Sequence, residues 1–177
     1  MQLNKNFFNI ITDNLPNLDT PFIKTAAEQN FSYIDMIRLS GKYANALTKL
    51  GIRKKSRIML QTEKKIECVW LYLACLRIGA IFVTINPSYT KAETEFFLKD
   101  TEPSLFVTDK RSRFVDINNI LSKKSDTQVV QLTAREGRSL SKLVATSEES
   151  FENSDCDGTD IAAILYTSGT TGRSKGA

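Results

Sequence analysis

The residues best suited to chemistry lie at the end of the chain. Thr167, Ser168, Thr170, Thr171 and Ser174 offer hydroxyl donors, Gly169, Gly172 and Gly176 free the backbone to turn, and Lys175 supplies a cation. Glycines let backbone N–H groups come close to a ligand and point inward, the arrangement that cradles oxyanions. Hydroxyls add neutral donors, and a lysine adds a compact positive charge on a flexible stem. The chemistry served by this composition is the binding of polyphosphate. A Ser/Thr/Gly surface turn is the plainer reading, and the density of donors together with the lysine argues against it.

Two widespread phosphate loops do not fit. A Walker A loop runs Gly-x4-Gly-Lys-Ser/Thr, whereas Ser174 stands five residues after Gly169 and Lys175 is followed by Gly176. The dinucleotide fingerprint Gly-x-Gly-x-x-Gly has no match in the chain. A P-loop NTPase is therefore set aside. Immediately upstream, Ile161 to Tyr166 is an unbroken apolar run of strand length, so the loop is expected to leave the end of a buried strand.

Tyr166-Thr-Ser-Gly-Thr-Thr-Gly-Arg-Ser-Lys-Gly176 resembles the phosphate loop of the adenylate-forming superfamily, which holds acyl-CoA synthetases, luciferases and peptide-synthetase adenylation domains. The ending Arg173-Ser174-Lys175-Gly176-Ala177, where many members carry Pro-Lys-Gly-Val, is similar to malonyl-CoA synthetases. Gln61-Thr-Glu-Lys64, Leu71-Tyr-Leu-Ala74, Leu76-Arg-Ile-Gly-Ala80, Asn86-Pro87, Tyr89-Thr90 and Asp100-x-x-Pro103 look like the N-terminal half of the same enzymes. The resemblance covers nearly all of residues 30–177. It departs at Thr84, where proline is usual, and at Lys54-Lys55-Ser56, which replaces a Gly-Asp turn. Both departures are expected to touch packing and turns more than chemistry.

The resemblance implies a two-step reaction. A carboxylate attacks the α-phosphorus of ATP to give an acyl-adenylate and pyrophosphate, and the thiol of CoA then takes the acyl group. It implies that Thr167, Ser168, Gly169, Thr170, Thr171, Gly172 and Lys175 hold the ATP phosphates, with Mg²⁺ sharing the charge. The implied substrate is a small carboxylic acid, malonate or a similar one. Lys110-Arg111-Ser112-Arg113 corresponds to a segment that meets the 3′-phosphate of CoA in some acyl-CoA synthetases, which makes Arg111 and Arg113 candidate CoA contacts. A basic helix start opposes the helix dipole and so favours a functional reason, with a solvated loop as the alternative. No catalytic residue and no metal ligand is assigned, because the family's adenine contacts, acyl pocket, hinge and late lysine fall beyond Ala177. The chain is expected to be the N-terminal portion of a ligase, inactive by itself. A non-catalytic truncated remnant or a nucleotide- or polyanion-binding module is the reading held beside it.

The elements that must position the loop follow a βα rhythm. Strands are expected at Arg57–Gln61, Ala80–Ile85, Ser104–Thr108 and Thr127–Gln131, with helices at 65–78, 91–101 and 111–123 between them. Apolar strands alternating with helices argue an α/β fold with a doubly wound, mostly parallel sheet. Upstream, residues 3–12 read as a short amphipathic helix, and Phe22 to Ala26 and Phe31 to Tyr33 as short strands. Met36, Leu39, Tyr43, Ala46 and Leu50 mark a one-sided helix ended by Gly51. Ser32 with Asp35, and Thr90 with Glu93, have capping-box spacing. The helix at 65–78 is apolar nearly all round and should be covered on both sides. This divides the chain into an α/β unit at 1–143, an acidic linker at 144–160, and a strand with its loop at 161–177 opening the next unit. That strand is expected to lack its pairing neighbours and to leave an apolar edge exposed.

With 177 residues, the chain can bury roughly 70% of the surface its unfolded form would expose. Its net charge is +4, unevenly spread: residues 1–142 carry 22 bases and 14 acids, whereas residues 143–172 carry six acids and no base. No aromatic–basic array accompanies the charge, so nucleic acid is not expected as a partner. The chain has three cysteines and no histidine, which excludes the usual zinc sites. Cys68 and Cys75, on one expected helix, would stand about 10 Å apart, too far for a disulfide. A reducing, cytoplasmic setting is the expectation. Cys68 to Ile85 is not a membrane span, since Arg77 at its centre would cost about 2.5–3.5 kcal/mol. Cys68, Trp70 and Cys75 are read as core.

Overall fold

A computed structural model describes residues 5–109, 117, 126–133, 139–167 and 175–177. The chain opens with helix α1 (Phe7–Thr12), followed by strands β1 (Pro21–Lys24) and β2 (Asn30–Ser32), which pair antiparallel. Helix α2 (Tyr33–Lys49) starts where the sequence predicts, because both halves of its capping box form. Asp35 N donates to Ser32 Oγ at 3.3 Å and Ser32 N to Asp35 Oδ2 at 3.0 Å. Gly51, at φ +81°, then turns the chain out of the helix.

Strand β3 (Arg57–Gln61), helix α3 (Ile66–Ile78) and strand β4 (Ile81–Thr84) form the first βαβ unit. Gly79 ends α3 in the left-handed conformation at φ +73°, its N–H bonding back to the last carbonyls. Helix α4 (Lys91–Thr101) is held by the Thr90–Glu93 box, and strands β5 (Leu105–Thr108) and β6 (Gln128–Gln131) follow. The helix expected at 111–123 lies outside the described residues except for Ile117, which is buried. Helix α5 (Leu140–Ala145) precedes strands β7 (Ala163–Thr167) and β8 (Lys175–Gly176).

The main sheet runs β6-β5-β3-β4-β7-β8, parallel throughout except for the antiparallel pair β7–β8. Strand alternation sends side chains to two cores. Ile58, Leu60, Leu105 and Val107 face α2, α3 and α5, while Met59, Val83 and Phe106 face α4 and Ile117. Helix α3 is enclosed as its composition requires, with Trp70, Leu73 and Cys75 all buried. Cys68 is half-buried beside Thr62 Oγ1, and all three cysteines are free thiols. Among the described residues no helix is long and apolar enough to cross a membrane.

The expectation that the strand at 161–166 lacks neighbours is corrected. β7 pairs with β4 on one side and β8 on the other, because the chain brings it back along the open edge of the sheet. Ile161 and Leu165 nevertheless stay 57% and 53% exposed.

Of the residues expected as a linker, 144–160, Val144 and Ala145 close α5 and 146–160 lie against α2 and α3 as a strap. Asn45 Nδ2 donates to the carbonyls of Glu148 and Ser150 at 2.9 and 2.7 Å, and Arg38 pairs with the Glu149 carboxylate. Arg77, 5% exposed, donates to the Phe151 carbonyl and Asn153 Oδ1, both at 2.7 Å, and on its other side to Ile37 O and Ser40 Oγ at 2.8 and 3.1 Å. The strap ends at Asp160, which accepts from Lys54 Nζ at 2.7 Å and from Asp157 N at 2.8 Å. Those bonds hold the Asp160 carboxyl at about 2, below its ordinary 3.8. A depressed folded-state value stabilises above the unfolded one, so this contribution is complete above about pH 4 and is lost as pH falls through about 2. Asp160→Asn is expected to flatten that acid limb, as read by urea unfolding at pH 6, 4 and 3. An unchanged pH dependence would show that the pair contributes nothing.

The Lys54-Lys55-Ser56 departure has a structural consequence. Lys55 sits at φ +67°, a conformation that strains a residue with a side chain. Its side chain is 72% exposed and only 3.6 Å from Asp160 at best, so little is lost by removing it. Lys55→Gly is expected to raise stability by about 0.5–1 kcal/mol, seen as a higher urea midpoint at unchanged slope.

Candidate functional site

The loop anticipated from sequence leaves the carboxyl end of β7, where open α/β sheets place their ligands. β7 enters this position by its register on β4, with Phe82, Val83 and Thr84 opposite Ala163, Ile164 and Leu165. β8 then returns antiparallel, setting Thr167 opposite Lys175 and Tyr166 opposite Gly176. Leu165 and Ala177 exchange both backbone hydrogen bonds, at 2.8 and 2.9 Å. The first and last residues of the motif, Thr167 and Lys175, are thereby adjacent on a paired stem. Ser168, Gly169, Thr170, Thr171 and Gly172, with Arg173 and Ser174, lie outside the described residues, as do Arg111 and Arg113.

The stem is packed on one face. Ile164 and Tyr166 join the core under α4, and the Tyr166 ring meets Phe97 edge-on at 4.6 Å between centroids. Phe97 in turn stacks on Tyr89 at 5.0 Å. The Tyr166 hydroxyl donates to the Asp100 carboxylate in the last turn of α4. Partial burial and that carboxylate raise the Tyr166 phenol above its ordinary range, so it stays a donor at neutral pH. Gly176 fits closely here, and a side chain in its place would need Ile164 and Tyr166 to give by a few tenths of an ångström. A Cβ at this position would sit 3.0 Å from Ile164 Cγ2 and 3.4 Å from the Tyr166 ring.

The same edge of the sheet carries a second polar group that the sequence reading missed. Lys65 Nζ pairs with the Asp109 carboxylate and lies 3.3 Å from Thr133 Oγ1, while Asp109 Oδ1 accepts from Thr133 N at 2.9 Å. The hydrogen bond to Asp109 raises the Lys65 ammonium's pKa. This pair closes the carboxyl ends of β3 and β5, where the strand order reverses. No spacing rule joins residues so far apart in the chain. Two clefts lie at the opposite end of the strands. One, of about 340 Å³, lies between Gly79, Cys156 and Ile161, and another, of about 700 Å³, between Arg57, Lys99 and Gln128. Among the described residues no group of three or more His, Cys, Asp or Glu is placed to hold a metal.

Comparison with known proteins agrees with this arrangement. The AMP-binding enzyme family profile matches residues 15–177. The chain is 30% identical over 156 residues to 4-coumarate–CoA ligase 1 of Petroselinum crispum, covering 87% of this chain and 28% of that protein. It is 26% identical over 155 residues to the long-chain-fatty-acid–CoA ligase FadD13 of Mycobacterium tuberculosis, covering 88% of this chain and 30% of that one. Among solved structures, ATP-bound MatB from Rhodopseudomonas palustris superposes with a TM-score of 0.90 at 38% identity, over 99% of this chain and 34% of MatB. The chain thus spans about a third or less of these relatives, and the part it matches is the N-terminal part of adenylate-forming enzymes. By its sequence and by the sheet that carries its loop, the chain belongs to the AMP-binding enzyme family.

Proposed function

We propose that this chain supplies the phosphate-binding portion of an ATP-dependent carboxylic acid–CoA ligase acting on malonate or a similar small acid. The observation that carries the reading is the β7–β8 stem, which sets Thr167 and Lys175 side by side at the carboxyl edge of a parallel sheet. The likeness to an ATP-bound protein over 99% of this chain supports ATP as the nucleotide, and the malonyl-CoA synthetase resemblance supports the acid. Thr167, Ser168, Gly169, Thr170, Thr171, Gly172 and Lys175 would grip the phosphates that depart as pyrophosphate. Donors already oriented toward the phosphoryl oxygens stabilise charge that grows as the α-phosphorus is attacked. Mg²⁺ would arrive on the nucleotide's own phosphate oxygens, since this cation keeps substrate phosphates and water among its ligands. Arg111 and Arg113 are assigned to CoA. The three free thiols suit a reducing cytoplasm, and the division at 144–160 is kept as the boundary between the α/β unit and the loop-bearing segment.

The test is equilibrium binding of ATP to the purified chain, followed by assay for malonyl-CoA. Binding is expected, weakened at least tenfold by Lys175→Ala through loss of a charge-assisted phosphate contact, with no malonyl-CoA formed by the chain alone. Product formation would overturn the inactivity. Equal, salt-sensitive binding of any polyanion, indifferent to Lys175→Ala, would replace this reading with a polyanion-binding module.

A further inference from the structure

The stem is joined to α4 by a contact that backbone pairing does not require. Asp100 stands in the last turn of α4, where a carboxylate opposes the partial negative charge of the helix end. Its interaction is with the Tyr166 hydroxyl, on the residue just before Thr167. Edge-on packing against Phe97 fixes the ring plane, and the bare backbone of Gly176 leaves room for the ring over β8. A tyrosine ring has few torsions, so one hydrogen bond at its tip and one aromatic contact at its side hold both strands of the stem.

From this juxtaposition we infer that Asp100 and Tyr166 are positioning residues for phosphate binding: a latch from α4 that fixes how Thr167 and Lys175 face each other. Neither residue needs to touch the nucleotide. The role follows from the general requirement that ligand-holding groups be locked by a supporting shell of packing and hydrogen bonds. The inference rests on the function proposed above and deepens it.

The test combines variants with two readouts. Asp100→Ala and Tyr166→Phe are each expected to weaken ATP binding about tenfold. The double variant should be no weaker than either single one, because both remove the same bond. Asp100→Asn keeps an acceptor and is expected to stay within about twofold of the parent chain. A general loss of packing would give additive losses and no rescue by asparagine. The second readout is amide hydrogen exchange at Leu165 and Ala177, whose mutual hydrogen bonds close the stem. Exchange there is expected to quicken in Asp100→Ala and Tyr166→Phe and to stay slow in Asp100→Asn, with or without nucleotide. If the parent chain binds ATP and the variants bind it equally well, the latch is overturned while the proposed function stands. If the parent chain fails to bind ATP, the proposed function falls, and stem exchange decides the latch by itself: faster exchange supports it and unchanged exchange overturns it.

Discussion

Replacing Arg77 with methionine is expected to lower the free energy of unfolding by about 3–5 kcal/mol, one of the largest effects available to a single side chain in this protein. The guanidinium is buried without a carboxylate among its described partners. Two carbonyls, a hydroxyl and an amide oxygen accept its hydrogen bonds at 2.7 to 3.1 Å. The rings of Phe8 and Phe151 lie 4.8 and 5.5 Å from its carbon, adding cation–π attraction on two sides. Burial pulls its pKa down to about 10, still well above neutral, so the group folds as a cation. Methionine fills much of the volume but strands acceptors that water cannot easily reach. Lysine should recover less than half of the loss, because one ammonium cannot reproduce the planar fork that addresses α2 and the strap together. Urea unfolding of the three proteins checks this, and a loss below about 1 kcal/mol for methionine would show that the acceptors find other partners.

The second large effect reverses a familiar rule. Glycine to alanine inside a helix ordinarily gains about 1 kcal/mol, and Gly41 lies in the middle of α2. Here the added methyl would overlap the Glu149 carbonyl oxygen and lie 2.9 Å from its carbon and 3.1 Å from Arg77 Nη1. The obstacle is backbone, and it is fixed on both sides by the Asn45 hydrogen bonds to Glu148 and Ser150. Gly41→Ala is therefore expected to destabilise by about 2–3 kcal/mol, the cost of overpacking a site that cannot yield. A more stable alanine variant, measured by the same unfolding experiment, would mean that the strap lifts away at little cost.

These two residues mark where the sequence was and was not legible. Strands β3 to β6 and helices α2, α3 and α4 could be read because their signals are local: apolar runs, capping boxes and glycine stops. The apolar run that becomes β7 was legible in the same way, whereas residues 168–174, read as a phosphate loop, lie outside the described residues. The strap was not. Residues 144–160 read as a polar linker, since most of the strap's grip comes from backbone carbonyls, which every sequence possesses. Arg77 was informative only as a charge within an apolar run, and its partners 37 to 76 residues away carry no pattern linking them to it. Strand β8 was hidden inside the phosphate motif, where Lys175 and Gly176 were explained by chemistry before pairing was considered. The Asp100–Tyr166 contact joins a helix end to a strand across 66 residues, a relation that only tertiary structure brings about.

The strap also bears on the order in which the molecule assembles. Its contacts span long stretches of chain: Asn6 reaches Ser154 across 148 residues, Asn45 reaches Glu148 across 103, and Arg77 reaches Asn153 across 76. Closing such loops costs entropy before any contact repays it, so they form after the nearby pairings of β3, β4 and β5. β7 can join β4 only once the strap has brought it to that edge. The β7–β8 end of the chain is thus expected to be the last to dock on the sheet, leaving the edge of β4 open in a nascent chain until that moment.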